Sequence, residues 1–128
     1  MKKVLILMAT YNGAKYLDEQ IQSLIEQKNV QVDILVRDDG STDNTIEVLN
    51  KWKEQNKLEW YKGKHLNVQF GFYDLMERAR TRDVDYLAFC DQDDVWDLDK
   101  LCIAVEKLEK LCNKSMPALY YCGQRLVD

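Results

Sequence analysis

A chain of 128 residues, 46% hydrophobic and 31% charged with a single proline, suits one compact domain with a real core and excludes a disordered or fibrous protein. A formal net charge of −4 argues against a basic nucleic-acid-binding surface, so no nucleic-acid partner is expected. The four cysteines, Cys90, Cys102, Cys112 and Cys122, form no C-x-x-C pair. That removes zinc and thioredoxin-like readings and leaves reduced core thiols, as a reducing compartment would keep them.

Lys2 and Lys3 precede the apolar run "VLILMA", residues 4–9. The run is too short for a signal peptide and no small-residue cleavage site follows, so it reads as a first strand buried on both faces. Leu17, Ile21, Leu24 and Ile25 recur at helical spacing and predict a helix over 14–28. "VDILVR" (32–37) predicts a second strand, broken by "DDGSTDNT", which offers a turn glycine and several N-cap residues. Ile46, Leu49 and Trp52 mark a second helix, and "KLEWYK" (57–62) a short strand. Residues 68–80 have a helical pattern that Gly71 weakens. "YLAFC" (86–90) is a buried strand, Leu101, Ala104, Val105, Leu108 and Leu111 trace an amphipathic helix, and "ALYYCG" (118–123) predicts a last strand. Strands alternating with helices imply an α/β fold with a mostly parallel sheet covered on both faces. There is no internal repeat, no low-complexity tract, and no stretch long enough to span a bilayer.

In such sheets ligands bind outside the carboxyl ends of the strands. The first strand ends in "ATYNG", the second in "DDGS" and the later one in "CDQDD", so three polar clusters converge on one rim. Asp91 and Asp93, two apart in an extended segment, point the same way. Together they can hold a hard divalent cation through oxygen, which offsets their mutual repulsion. The alternative is a solvated turn leading into the next helix, the role given to Asp97 and Asp99 near its positive end. Neither a P-loop nor a G-x-G-x-x-G motif is present, so the charge of a phosphorylated ligand falls mainly to a metal.

Tyr11 offers a flat face on which a base can stack, or else it closes the edge of the core. At Asp38 and Asp39 a carboxylate can accept from the imide N–H of uracil or thymine, which cytosine lacks; the alternative is an Asx-type turn before Gly40. The only histidine, His65, lies in the polar loop "KGKHLN" and reads as exposed and not catalytic.

The segments "MATYNGAKYLDEQIQSL", "VRDDGSTDNT" and "CDQDDVW", in this order and spacing, resemble glycosyltransferase family 2, and the likeness covers nearly the whole chain. The resemblance implies a GT-A fold: an α/β, Rossmann-like three-layer sandwich with a mostly parallel central sheet. Residues 1–128 would be its nucleotide-sugar-binding part. The implied activity moves a sugar from a UDP- or dTDP-linked donor to an acceptor hydroxyl with inversion, using Mg²⁺ or Mn²⁺. By position, Tyr11 would stack on the uracil, Asp39 would contact the base, and Ala9 of "ATYNG" would join the substrate contacts. Asp91 would reach the ribose and the metal-bound diphosphate, with Asp93 the principal metal ligand and Asp94 in support.

The wording "VRDDGS" and "DQDDVW" is most similar to bacterial rhamnosyltransferase-type members that build surface polysaccharide. That implies a saccharide or lipid-linked acceptor and a place in the cytoplasm, free or peripheral to the inner face of the membrane. One departure stands against the pattern. Family enzymes are considerably longer, and their catalytic base, a carboxylate that deprotonates the acceptor, comes from the later half. The chain is therefore expected to be truncated, to lack that base and to be inactive alone. Two rival readings are a non-catalytic nucleotide-binding fragment and a receiver-like Mg²⁺-binding signalling domain. The latter needs acidic residues after the first strand, where this chain has "ATYNG".

Overall fold

The apolar run near the N-terminus becomes β1 (Lys2–Thr10), and alternate residues of it enter two different cores. Val4, Ile6 and Met8 face one side and Leu5 and Leu7 the other, and all five are at most 1% exposed. A strand covered on both faces needs such a continuous run rather than an alternating one. The computed structural model describes residues 1–64, 68–90 and 95–111, without the side chains of Val68, Gln69 and Leu111. After β1 come α1 (Ala14–Ile25), β2 (Val30–Asp38), α2 (Thr45–Glu54), β3 (Glu59–Lys62), α3 (Val68–Ala79), β4 (Tyr86–Cys90) and α4 (Lys100–Leu111).

All strand pairs are parallel and the sheet order is β3-β2-β1-β4. The chain steps from β1 to β2 to β3 in one direction, then crosses back to place β4 on the far side of β1. Parallel crossovers are right-handed, so this reversal moves the connecting helix to the opposite face. Leu17, Ile21 and Leu24 of α1, Leu49 and Trp52 of α2 and Leu101 of α4 accordingly share one core with Val4, Ile6 and Met8. Leu75 and Ala79 of α3 pack with Leu5, Leu7 and Leu35 on the other. The result is the expected α/β three-layer sandwich. The reversal also creates a topological switch point between β1 and β4, where open α/β sheets bind ligands.

Some boundaries differ from the sequence reading. The first helix stops at Ile25 rather than continuing to residue 28, and Asn29 adopts a left-handed backbone (φ 61°) that turns the chain into β2. Apolar spacing carries no signal for that stop, whereas asparagine tolerates the left-handed region. Cys90 is buried and Cys102 half-buried, so Cys102 is not the core thiol expected; its Sγ contacts the Asp99 carbonyl at 3.3 Å. The strand expected at 118–123, Cys112, Cys122 and His65 lie outside the described residues, as do Asp91, Asp93 and Asp94. No helix among the described residues is long and apolar enough to cross a membrane.

Candidate functional site

The loops leaving β1 and β2 are sewn together by main-chain groups that have no partner inside their own element. The Asn12 side-chain oxygen accepts the amides of Thr42 (2.8 Å) and Asp43 (3.4 Å), while the Asn12 amide donates to the Ser41 hydroxyl at 2.9 Å. At the start of α1, where helix amides are unpaired, Gly13 N–H donates to Thr45 Oγ1 (3.0 Å) and Ala14 N–H to the Asp43 carboxylate (3.4 Å). Thr45 donates to Asp43 in turn, and that hydroxyl contact holds the Asp43 carboxyl below its usual range.

The two aspartates after β2 take opposite directions. Asp38, completely buried, accepts the amides of Gly40 (3.1 Å) and Ser41 (3.0 Å) on one oxygen and the Ser41 hydroxyl on the other. This is the Asx-type turn, and Gly40 at φ 90° completes it where a side chain would be strained. The Asp39 amide donates to the Thr10 carbonyl at 3.0 Å, which ties the exit of β2 to that of β1. Its carboxylate turns to Arg37.

Arg37 is a buried cation, its side chain 3% exposed, placed after the apolar run Ile34–Val36 of β2. Its guanidinium donates through Nη1 to Asp39 Oδ1, through Nε to Asp74 Oδ2 (3.1 Å) and through Nη2 to the Lys64 carbonyl (2.9 Å). A buried charge is tolerated only when paired and hydrogen-bonded in this way. Two glycines make room for it. A Cβ on Gly63 would overlap the guanidinium, and one on Gly71 would lie 3.3 Å from Nη1 and 3.9 Å from Asp39 Oδ2. Gly71 weakens α3 by about 1 kcal/mol relative to alanine, and in exchange the helix closes over the ion pair.

Asp74 is shared further. The Tyr61 hydroxyl donates to it at 2.6 Å and the Arg78 guanidinium lies 3.7 Å above the Tyr61 ring. The Tyr61 hydrogen bond, then Arg37, hold the Asp74 carboxyl below its usual range. Burial, with Asp74 beside it, pushes the Tyr61 phenol above its own.

On the β4 side, α1 carries a buried polar stripe. Gln20 Nε2 donates to Cys90 Sγ (3.2 Å) at the last residue of β4. Ser23 Oγ accepts the Trp96 amide (3.1 Å), and Gln27, just past the helix, donates to the Asp97 carbonyl (2.6 Å) and accepts the Leu101 amide (2.9 Å). Spacings of three and four put these side chains on one helical line. They bind the chain on both sides of residues 91–94. The main-chain carbonyls of Asp97 and Asp99 accept the amides of Lys100 (3.1 Å) and Ile103 (3.0 Å) where α4 begins.

Of the residues singled out by sequence, Tyr11 and Asp39 therefore meet at one rim, beside the switch point. Tyr11 is 42% exposed, so its ring does not close the core. Ala9 is half-buried, packs on the α3-side core and stands opposite Arg37 in register. Asp91 and Asp93 lie outside the described residues, and no cluster of three metal-binding side chains occurs among the described ones. A surface groove lies elsewhere, along α3 and β4, lined by the apolar side chains of Phe72, Tyr73, Met76 and Phe89. A neighbouring one adds Glu77, Arg80 and Leu87 to Tyr73 and Met76. Sequence reasoning missed Arg37, although a cation directly after the apolar run Ile34–Val36 and followed by two aspartates was a signal. It also missed Asn12 and Thr45, whose roles depend on contacts about thirty residues away.

Residues 5–126 match the profile of Glycosyl transferase family 2. The chain is 37% identical over 136 aligned positions to the dTDP-rhamnosyl transferase RfbG of Shigella flexneri, covering 94% of this chain and 45% of that protein. It is 28% identical to the UDP-Glc:alpha-D-GlcNAc-diphosphoundecaprenol beta-1,3-glucosyltransferase WfaP of Escherichia coli, over 85% of this chain and 42% of that one. Among solved structures, S. aureus TarS 1-349 in complex with UDP-GlcNAc superposes with a TM-score of 0.65 at 26% identity, over 86% of this chain and 32% of that one. The fold is that of the GT-A transferases. The chain spans less than half the length of each of these three proteins.

Proposed function

The chain belongs to glycosyltransferase family 2, and from that premise we propose that residues 1–128 are the donor-binding part of an enzyme that takes a sugar from a UDP- or dTDP-linked donor. The observation that carries this reading is the hydrogen bond from the Asp39 amide to the Thr10 carbonyl at 3.0 Å, which brings Asp39 and the exposed Tyr11 to one rim beside the switch point. Tyr11 stacks on the pyrimidine. The Asp39 carboxylate accepts its imide N–H, and Ala9 joins the substrate contacts. The reading is supported by the resemblance of "TYN" and "DDGS" to the family's base-binding segments.

Asp91 and Asp93 are the residues that would hold a divalent cation, Mg²⁺ or Mn²⁺, with Asp91 also meeting the ribose. Carboxylate oxygens suit such hard ions. When bound, the cation neutralises the diphosphate and stabilises the leaving nucleoside diphosphate. The α1 stripe of Gln20, Ser23 and Gln27 fixes the chain on either side of that segment. An acceptor hydroxyl, on a saccharide or a lipid-linked saccharide, attacks the anomeric carbon from the opposite face and inverts it. Its proton goes to a carboxylate within about 3 Å, directly or through one water. That base is assigned to a part of the enzyme beyond these residues, so donor binding without transfer is the behaviour expected of this chain. Rhamnosyl transfer in surface-polysaccharide assembly, in the cytoplasm or at the inner membrane face, is the specific activity favoured by the RfbG relationship.

The receiver-like alternative is set aside on topology: in that fold β1 lies between β2 and β3, whereas here it lies between β2 and β4. Calorimetric titration of the chain with UDP, dTDP, CDP and ADP, with and without Mn²⁺, tests the proposal. Metal-dependent binding of UDP or dTDP in preference to CDP and ADP is expected. Equal affinity for all four would refute base recognition at this rim.

A further inference from the structure

The chain on both sides of residues 91–94 is tied to one helix. Before them, Cys90 Sγ accepts from Gln20 Nε2 at 3.2 Å. After them, the Trp96 amide donates to Ser23 Oγ at 3.1 Å, and the Asp97 carbonyl accepts from Gln27 Nε2 at 2.6 Å. We infer that Gln20, Ser23 and Gln27 are positioning residues for the divalent cation: they fix the chain before and after Asp91 and Asp93, so that the cation has less ordering to impose. The inference rests on the reading of Asp91 and Asp93 as the metal ligands. Three observations carry it. Gln20, Ser23 and Gln27 are 1%, 7% and 6% exposed, so they act on a ligand only through their partners. They are themselves held in place: Ser23 Oγ donates to the Gln20 carbonyl at 2.6 Å, Gln27 Nε2 donates to the Ser23 carbonyl at 3.1 Å, and Gln27 Oε1 accepts the Leu101 amide at 2.9 Å. Finally, the Lys28 amide donates to the Leu98 carbonyl at 2.8 Å, so the end of α1 grips Trp96, Asp97, Leu98 and Leu101 together.

The chemistry of these side chains suits that task. Carboxylates gathered in one place repel each other, and drawing an acidic stretch with loose ends around a cation costs conformational entropy. A stretch whose ends were fixed on folding has already lost part of that freedom, which is the general benefit of preorganisation. A lysine or arginine used as the anchor would neutralise the carboxylates and compete with the cation. Amides and a hydroxyl carry no charge, and the bonds from Ser23 and Gln27 to Trp96, Asp97 and Leu101 all go to main-chain atoms. They hold the backbone and leave the negative charge for the metal. Loss of an anchor therefore weakens the cation and not the base, whose contacts, Tyr11 and Asp39, lie on the loops after β1 and β2.

Mn²⁺ is the probe. Its dissociation constant in the presence of UDP is read from the EPR signal of the free ion, and UDP binding with and without Mn²⁺ is read by calorimetry. The unmodified chain is compared with Gln20→Met, Ser23→Ala, Gln27→Met, Asp93→Asn and Ile21→Val, each checked for folding by circular dichroism. Ile21, buried on the same helix, serves as the control for a merely loosened fold. Ser23→Ala and Gln27→Met should each weaken Mn²⁺ by about tenfold, the low end of what loss of an outer-shell partner costs. Gln20→Met should weaken it less, because sulfur is a poor acceptor. Metal-free UDP binding should not change, and Ile21→Val should lower the melting temperature while leaving Mn²⁺ affinity in place. A purely structural stripe would behave as Ile21→Val does, or would weaken UDP equally with and without Mn²⁺. Either result in folded Ser23→Ala overturns the inference, and that variant decides alone if Gln27→Met does not fold. If Asp93→Asn keeps full Mn²⁺ binding, the metal reading of the segment falls, and this inference with it. If Asp93→Asn abolishes Mn²⁺ binding while the Ser23 and Gln27 variants keep it, only the inference falls.

Discussion

The two faces of the sheet hold the rim by different means. On the α1, α2 and α4 face the loops are fixed by neutral or short-range hydrogen bonds over a closed apolar core, with Gln20, Ser23, Gln27, Asp38 and Thr45 all buried. On the α3 face they are fixed by one buried cation, Arg37, shared between Asp39 and Asp74. Beside it the apolar flank stays open among the described residues: Leu87 and Phe89 of β4 are 42% and 48% exposed, against 1% and 0% for Leu5 and Leu7 one strand away. The lesson is a division of labour. The first face closes the larger apolar core, and the second holds a buried, charged ion pair beside the rim.

Substitutions on each face sharpen that contrast. Leu24→Ala, on the closed face, should cost about 2–5 kcal/mol in urea unfolding through lost burial and a residual cavity. Leu87→Ala on the open flank should change stability by no more than about 0.5 kcal/mol. Equal losses would erase the contrast. Arg37→Gln should cost about 3 kcal/mol, the low end for breaking a buried pair, because Asp74, 39% exposed, can regain water. A loss under about 1 kcal/mol would mean that the cation is not needed to hold α3 against β2.

Tyr11→Ala should cost no more than about 1 kcal/mol of stability, since the residue is 42% exposed, while UDP binding weakens by about 1–3 kcal/mol through lost stacking. Unaltered UDP affinity would remove Tyr11 from the site. The smallest effect concerns pH. The Asp74 carboxyl is held low by Tyr61 and Arg37, so it binds its proton less readily folded than unfolded. The stability it adds is therefore present above the ordinary carboxylate range and fades as pH falls through about 4 and below. Comparing Asp74→Asn with the unmodified chain across pH 7 to 3, the gap should be under about 1 kcal/mol, given solvent screening, and should close toward acid. A gap that widens toward acid would contradict the sign.

Much of this was legible in the sequence because it rests on short-range pattern. The continuous run of β1 signalled burial on both faces, and strand–helix alternation signalled a parallel sheet. The glycine after two aspartates signalled a turn. The strand ends then pointed to one rim without any long-range contact. What was not legible depended on the third dimension. Which of Asp38 and Asp39 makes the turn is decided by which face of β2 each follows, and the sequence reading left that turn unassigned between the two. Gly71 read as a flaw in a helix because its partner, Arg37, is 34 positions away in the chain. Cys102 looked like a core thiol because its neighbours are apolar, although the spacing of α4 turns it half toward solvent.

Base recognition is the role proposed for Tyr11 and Asp39, which the Asp39 amide to Thr10 carbonyl bond brings to one rim. A crystal structure of the chain with UDP and Mn²⁺ tests that most directly. The expected structure has the uracil stacked on Tyr11 and its N3 within about 2.7–3.2 Å of an Asp39 carboxylate oxygen. Uracil bound away from Tyr11, or Asp39 turned from the base, would contradict it.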